Sequence, residues 1–108
     1  MNIRTTIRIN PSEVRISELK STKELQKAIA MVVKAQRKKS ITKSADEIGM
    51  GKSLWADLEN GIKDPQISTL WRIAEGLDIK PHLLIKLVEE ELGENFSFIE
   101  NTSGNKDI

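Results

Sequence analysis

A glycine-punctuated pair of short amphipathic runs constrains this chain more than any other feature. Residues 40–61, SITKSADEIGMGKSLWADLENG, place Gly49 where one run stops and Gly51 where the next begins. Ser40 is an N-cap candidate, because a side-chain oxygen there accepts a first-turn amide. Ile41, Ala45 and Ile48 follow at i, i+4 and i+7, one face of a first helix. Gly49 takes the left-handed conformation that ends a helix without the cost a Cβ imposes. Met50 is expected to turn inward and Gly51 to open a second helix. In that helix Trp55 and Leu58 share a buried face, and Gly61 ends it. Lys52, Ser53, Ala56, Asp57 and Asn60 line the opposite face.

The rest of the chain reads around this pair. In residues 1–20, Ile3, Thr5, Ile7 and Ile9 alternate with Arg4, Thr6 and Arg8, the period of a half-buried strand. Asn10-Pro11 marks a turn, and Val14 and Ile16 suggest a second short strand. An isolated hairpin is marginal, so this N-terminal extended arm needs a strand partner or a dimer partner; a disordered arm is the plainer alternative. Ser21-Thr22-Lys23-Glu24 reads as a capping box opening a helix over 21–38, with Leu25, Ala28, Ile29, Val32 and Gln36 inward. Beyond Pro65, a helix over 67–76 turns Ile67, Leu70, Ile73, Ala74 and Leu77 inward, with Trp71 at the core's edge and Gly76 weakening its last turn. Pro81 starts a fifth helix. Its broad apolar face, Leu83, Leu84, Leu87, Val88 and Leu92, serves the core on one side and a dimer contact on the other. Phe96 and Phe98 give a weak strand signal, and residues 94–108 are expected to form a flexible C-terminal tail. The expected divisions are therefore 1–20, 21–93 and 94–108.

Charge is polarised along the chain. The net charge is +1 overall, but residues 20–43 carry eight basic residues against Glu24, whereas residues 44–108 are net −7. The basic third abuts the two-helix unit, where it suits a phosphate backbone; a solvated helix face accounts for the lysines equally well. The chain has no cysteine and a single histidine, His82, so a disulfide, a cysteine-ligated metal or a multi-histidine site is excluded. No metal or cofactor is expected. Ser53 has no histidine placed to activate it, and Gly49-Met50-Gly51 lacks the third glycine of a dinucleotide fingerprint. The chain does not read as an enzyme. No apolar run reaches the ~20 residues of a membrane helix, no leader follows Met1, and a cytoplasmic location is expected.

Two helices joined by a tight turn, the second with a bare polar face, suit insertion into a DNA major groove. The residues carrying that reading are Ala45, Ile48-Gly49-Met50, Trp55, Leu58-Glu59-Asn60-Gly61, Pro65, Leu70, Ile73-Ala74 and Leu77. Together they resemble the helix-turn-helix of the Cro/CI-type (XRE) DNA-binding family over roughly residues 22–88. The resemblance implies a mainly α, five-helix, lambda-repressor-like DNA-binding domain, here with a short N-terminal strand-like arm. It implies base reading by Lys52, Ser53 and Asp57, with Ala56 near the groove floor. It implies phosphate contacts from the backbone at Ser40 and Ile41 and from Lys39, Lys43, Asn60 and Lys63, and a structural role for Glu59. The family usually carries glutamine at the position of Ile41 and leucine at that of Ser44. The implied function is a sequence-specific transcriptional regulator, a repressor binding double-stranded DNA at a palindromic operator as a homodimer. The alternative is an antitoxin that represses its own operon and holds a toxin through its termini.

Overall fold

Residues 11–99 are described by a computed structural model, with side chains from residue 19 onward. Five helices follow in order: α1 (Pro11–Gln36), α2 (Ile41–Glu47), α3 (Lys52–Glu59), α4 (Ile67–Leu77) and α5 (Pro81–Leu92). No strand occurs among the described residues, as a mainly α domain requires. None of the described helices is long and apolar enough to cross a membrane.

The first helix departs from the sequence expectation. It starts at Pro11, ten residues before the capping box, so Val14 and Ile16 lie in helix rather than in a second strand. Proline is preset for the first helical position, and no glycine or proline interrupts the chain from there to residue 48. A capping box permits a start without compelling one. Here the helix runs straight through it, and the Ser21 hydroxyl donates instead to the Ser97 carbonyl at 3.4 Å. The strand expected over Ile3–Ile9 lies outside the described residues.

The core is built by α1 laid across the other helices. Ala28, Ile29, Val32 and Val33 of α1 meet Ala45 of α2, Trp55 and Leu58 of α3, Ile73, Ala74 and Leu77 of α4, and Leu84 and Val88 of α5, all buried. Met50 turns inward as its position after Gly49 predicts. One inward assignment fails at the edge of this core. Ile67 is 65% exposed, because the core ends one turn further in, at Leu70. On the apolar face of α5, Leu84 and Val88 are buried and Leu83 is exposed, and Ile85, which that face had omitted, is exposed as well. Residues 94–99 form turns and bends instead of a strand, with Phe96 and Phe98 in an edge-to-face contact at 5.4 Å.

Gly76 does more than weaken a helix end. A Cβ added there would lie 3.1 Å from Ile48 Cγ2 and 3.2 and 3.3 Å from two ring carbons of Trp55. The missing side chain lets α4 lie directly on the indole. Alanine normally gains about 1 kcal/mol over glycine inside a helix. At this site the fully buried ring has nowhere to move, so Gly76→Ala is expected to destabilise by about 1–3 kcal/mol, read by urea unfolding. A net gain would show that the contact relaxes freely.

Candidate nucleic-acid interface

The turn between α2 and α3 is fixed by its backbone. Gly49 has φ +65°, and its amide donates to Asp46 O at 3.1 Å. The Met50 amide donates to Ala45 O at 2.9 Å. This pair of bonds is a Schellman closure, in which the residue after the glycine makes an apolar contact with the helix it has just left; buried Met50 supplies it. The same closure ends α3: Gly61 has φ +69°, its amide donates to Leu58 O at 3.1 Å, and the Ile62 amide donates to Asp57 O at 3.0 Å. A third closure, after α4, uses Asp78 in the left-handed region, with the Ile79 amide on Ala74 O at 3.0 Å.

Between the two glycine closures, α3 divides by face. Trp55 and Leu58 are 0% and 1% exposed. On the other side Lys52, Ser53 and Asn60 are exposed, and Ala56 and Asp57 are half-buried. Gly51 caps α3 without a side chain, which leaves the helix entrance unobstructed at Lys52 and Ser53. Lys52 and Asp57 form no ion pair with each other, since the only salt bridges among the described residues are Arg37–Glu59 and Lys39–Glu47.

The α2 N-terminus lies alongside. Ser40 caps it, its hydroxyl accepting from the Lys43 amide at 3.1 Å. The first amides of any helix have no acceptor within it, so those of Ile41 and Thr42 are the donors this end offers. The Ile41 side chain packs on the core, which restricts that residue to its backbone. Lys39 is held by Glu47 at 2.8 and 2.9 Å, an exposed pair worth about 0–1 kcal/mol that a phosphate can replace. Lys43 and Lys63 are exposed with no ion pair among the described residues.

The helix-turn-helix family matches residues 29–84 of this chain, slightly more than half its length. The chain belongs to the Cro/CI-type (XRE) helix-turn-helix family. No curated protein and no solved structure matches it. Family membership makes it a DNA-binding transcriptional regulator, of a family of DNA-binding regulators rather than enzymes.

In this helix-turn-helix the ten candidate DNA contacts fall into three groups on the chain. Lys52, Ser53, Ala56, Asp57 and Asn60 line one strip of α3; Lys39, Ser40, Ile41 and Lys43 surround the α2 entrance; Lys63 stands in the loop after α3. Glu59 sits behind them and holds the domain together. Its carboxylate accepts from Arg37 Nε at 2.6 Å, from Arg37 Nη2 at 3.1 Å and from Trp55 Nε1 at 2.8 Å. Its side chain is 5% exposed and that of Arg37 is 22% exposed. The hydrogen bond and charge of Glu59 raise the Arg37 pKa, outweighing the lowering effect of burial. A raised folded-state value stabilises at every pH below the ordinary arginine range and is lost only above it. This pair is therefore insensitive to arginine deprotonation wherever the domain is studied.

Sequence reasoning missed Arg72. Its Nη2 donates to Ile48 O at 3.0 Å and Gly49 O at 3.1 Å, clamping α4 to the turn that orients α3. A cation on helix-terminal carbonyls is a familiar arrangement, but a partner 24 residues away leaves no local signal. Ser44 is buried, 2% exposed, so a small polar side chain occupies an interior position where the family usually places leucine.

Proposed function

We propose that the chain is a repressor that binds a palindromic operator as a homodimer and acts by occluding polymerase. The observation that carries this reading is the strip Lys52-Ser53-Ala56-Asp57-Asn60, set between two glycine closures with its opposite face buried. Lys52 is able to donate to guanine O6 and N7, Ser53 to donate or accept, Asp57 to accept from a cytosine amine, and Ala56 to meet a thymine methyl. Support for a second copy comes from the other side of α4. Ile67, Trp71 and Ile85 are 65%, 54% and 43% exposed. With Leu70, Pro81 and His82 they line an apolar cleft of about 290 Å³. Monomeric proteins seldom leave such patches uncovered. Twofold pairing would set the two α3 helices one DNA turn apart, about 34 Å. The location that follows is the cytoplasm, with the DNA.

Gel shift on the DNA upstream of the chain's own gene tests this: a discrete complex holding two protomers per site is expected, and a sequence-indifferent smear contradicts it. Lys63→Ala is expected to weaken all sequences alike and to lower the salt slope by about 1.

The antitoxin alternative has one observation in its favour. Leu19 and Phe98 are exposed at 52% and 49% near the Ser21–Ser97 hydrogen bond, an apolar end remote in sequence from α3. A partner that co-purifies with the chain and is lost on Leu19→Ser with Phe98→Ser would favour it.

A further inference from the structure

The helix that begins ten residues early carries a basic ridge. Lys20, Lys23, Lys27 and Lys34 are all exposed, and at 3.6 residues per turn they fall within an arc of about 60°. None of the four forms an ion pair among the described residues. Glu24 is the one acidic residue between them, and it projects some 40° outside their arc. Lys23 and Lys27 are four apart, a like-charge spacing that works against the helix. The ridge also adjoins the recognition unit. Gly61 packs on α1 so closely that a Cβ there would lie 3.8 Å from the Lys27 Cα. Lys23, Lys27 and Lys34 share with Met31, Asn60 and Gly61 an open groove of about 440 Å³. Three of the four lysines lie outside the residues 29–84 that match the family.

We propose that this ridge is a second, sequence-independent phosphate-binding surface that holds the DNA backbone flanking the base-read site. From Lys20 to Lys34 the ridge runs fourteen steps of helix, about 21 Å, the axial length that carries roughly six phosphates of one strand at about 3.4 Å of rise each. Asn60, at the C-terminal end of the α3 strip, adjoins the ridge between Lys23 and Lys34, so backbone leaving that strip meets lysines on α1. An acidic protein surface is the competing partner; the adjacency to Asn60 favours DNA. The proposal rests on the reading of α3 as the base-contacting helix.

The test uses the full chain and its selected binding sequence in two duplexes, one ending at the base-read site and one with about ten further base pairs on each side. Affinity is measured by fluorescence anisotropy across a range of salt. The wild-type chain is expected to show a steeper salt dependence on the long duplex. With Lys20, Lys23, Lys27 and Lys34 all changed to glutamine, the log–log slope on the long duplex is expected to fall by about 2–3, at ~0.9 per phosphate released. Affinity there falls at least tenfold, base preference is unchanged, and the short-duplex affinity stays near wild type. Arginine at the four positions is expected to restore the slope, which separates charge from folding. Equal slopes for wild type and the glutamine variant on the long duplex overturn the ridge and leave α3's role intact, as does a loss equal on both duplexes. A wild-type chain that selects no sequence overturns the α3 reading itself, and the ridge's role beside it.

Discussion

Trp55→Ala is expected to remove most of the domain's stability. The indole is 0% exposed and lies where α3, α4 and the α2–α3 turn meet: Gly76 beneath it, and Ile48 and Ile73 in the same packed cluster. Truncating a buried Trp costs about 3–5 kcal/mol, from lost transfer energy and the cavity left behind. Folded domains hold about 5–15 kcal/mol in all, and one with so small a core belongs near the lower end. Each kcal/mol shifts the melting temperature of a 60–100-residue domain by about 4–8 °C, so a fall of at least about 12 °C is expected by circular dichroism. Trp55→Phe keeps an aromatic ring in the core, loses part of the indole volume along with the bond to Glu59, and is expected to cost less. A melting temperature within 3 °C of wild type for the alanine variant would contradict this packing.

Glu59→Leu is expected to have the second largest effect, about 2–4 kcal/mol by chemical denaturation. The mutation leaves Arg37 charged and Trp55 Nε1 without an acceptor inside the domain. Breaking a buried pair by removing one partner typically costs 3–5 kcal/mol. Arg37 is 22% exposed and able to reach some water, which sets the figure below the top of that range. Glu59→Gln still accepts from the indole and is expected to cost less. The two effects are not additive, because both residues belong to one hydrogen-bonded group. An equal loss for Leu and Gln would mean that an acceptor without the charge contributes nothing, and a Gln variant as stable as wild type would mean that the charge contributes nothing. The bearing on function is direct: Arg37, on the chain just after α1, and Trp55, on α3, are joined through this carboxylate, so its removal loosens the helix expected to read bases.

The helix-turn-helix was legible because its signals are local. Gly49 and Gly61 stand at left-handed positions where glycine is favoured, Ser40 caps, and Trp55 and Leu58 keep helical spacing. Each feature is decided within a few residues, and all agree. The first ten residues of α1 were not legible, since Val14 and Ile16 keep the two-residue spacing of a strand and the capping box at 21–24 offered a later start. Ile67 carries a core residue's chemistry at a position where the core has already ended, which only the assembled helices disclose. Arg72 and Gly76 act through partners more than twenty residues away. The Arg37–Glu59 pair was legible by half: a structural role for Glu59 was expected from the family, and the identity of its partner came from the fold.

The central claim is that the α3 strip reads base edges, and binding-site selection with the full chain, repeated with Lys52→Ala and Ser53→Ala, tests it most directly. Wild type is expected to enrich one motif. Each variant should lose its preference at one position, worth about 1–3 kcal/mol, and keep the remainder of the motif. Enrichment of no motif by the wild type, or the same motif with unaltered preferences from both variants, would contradict it.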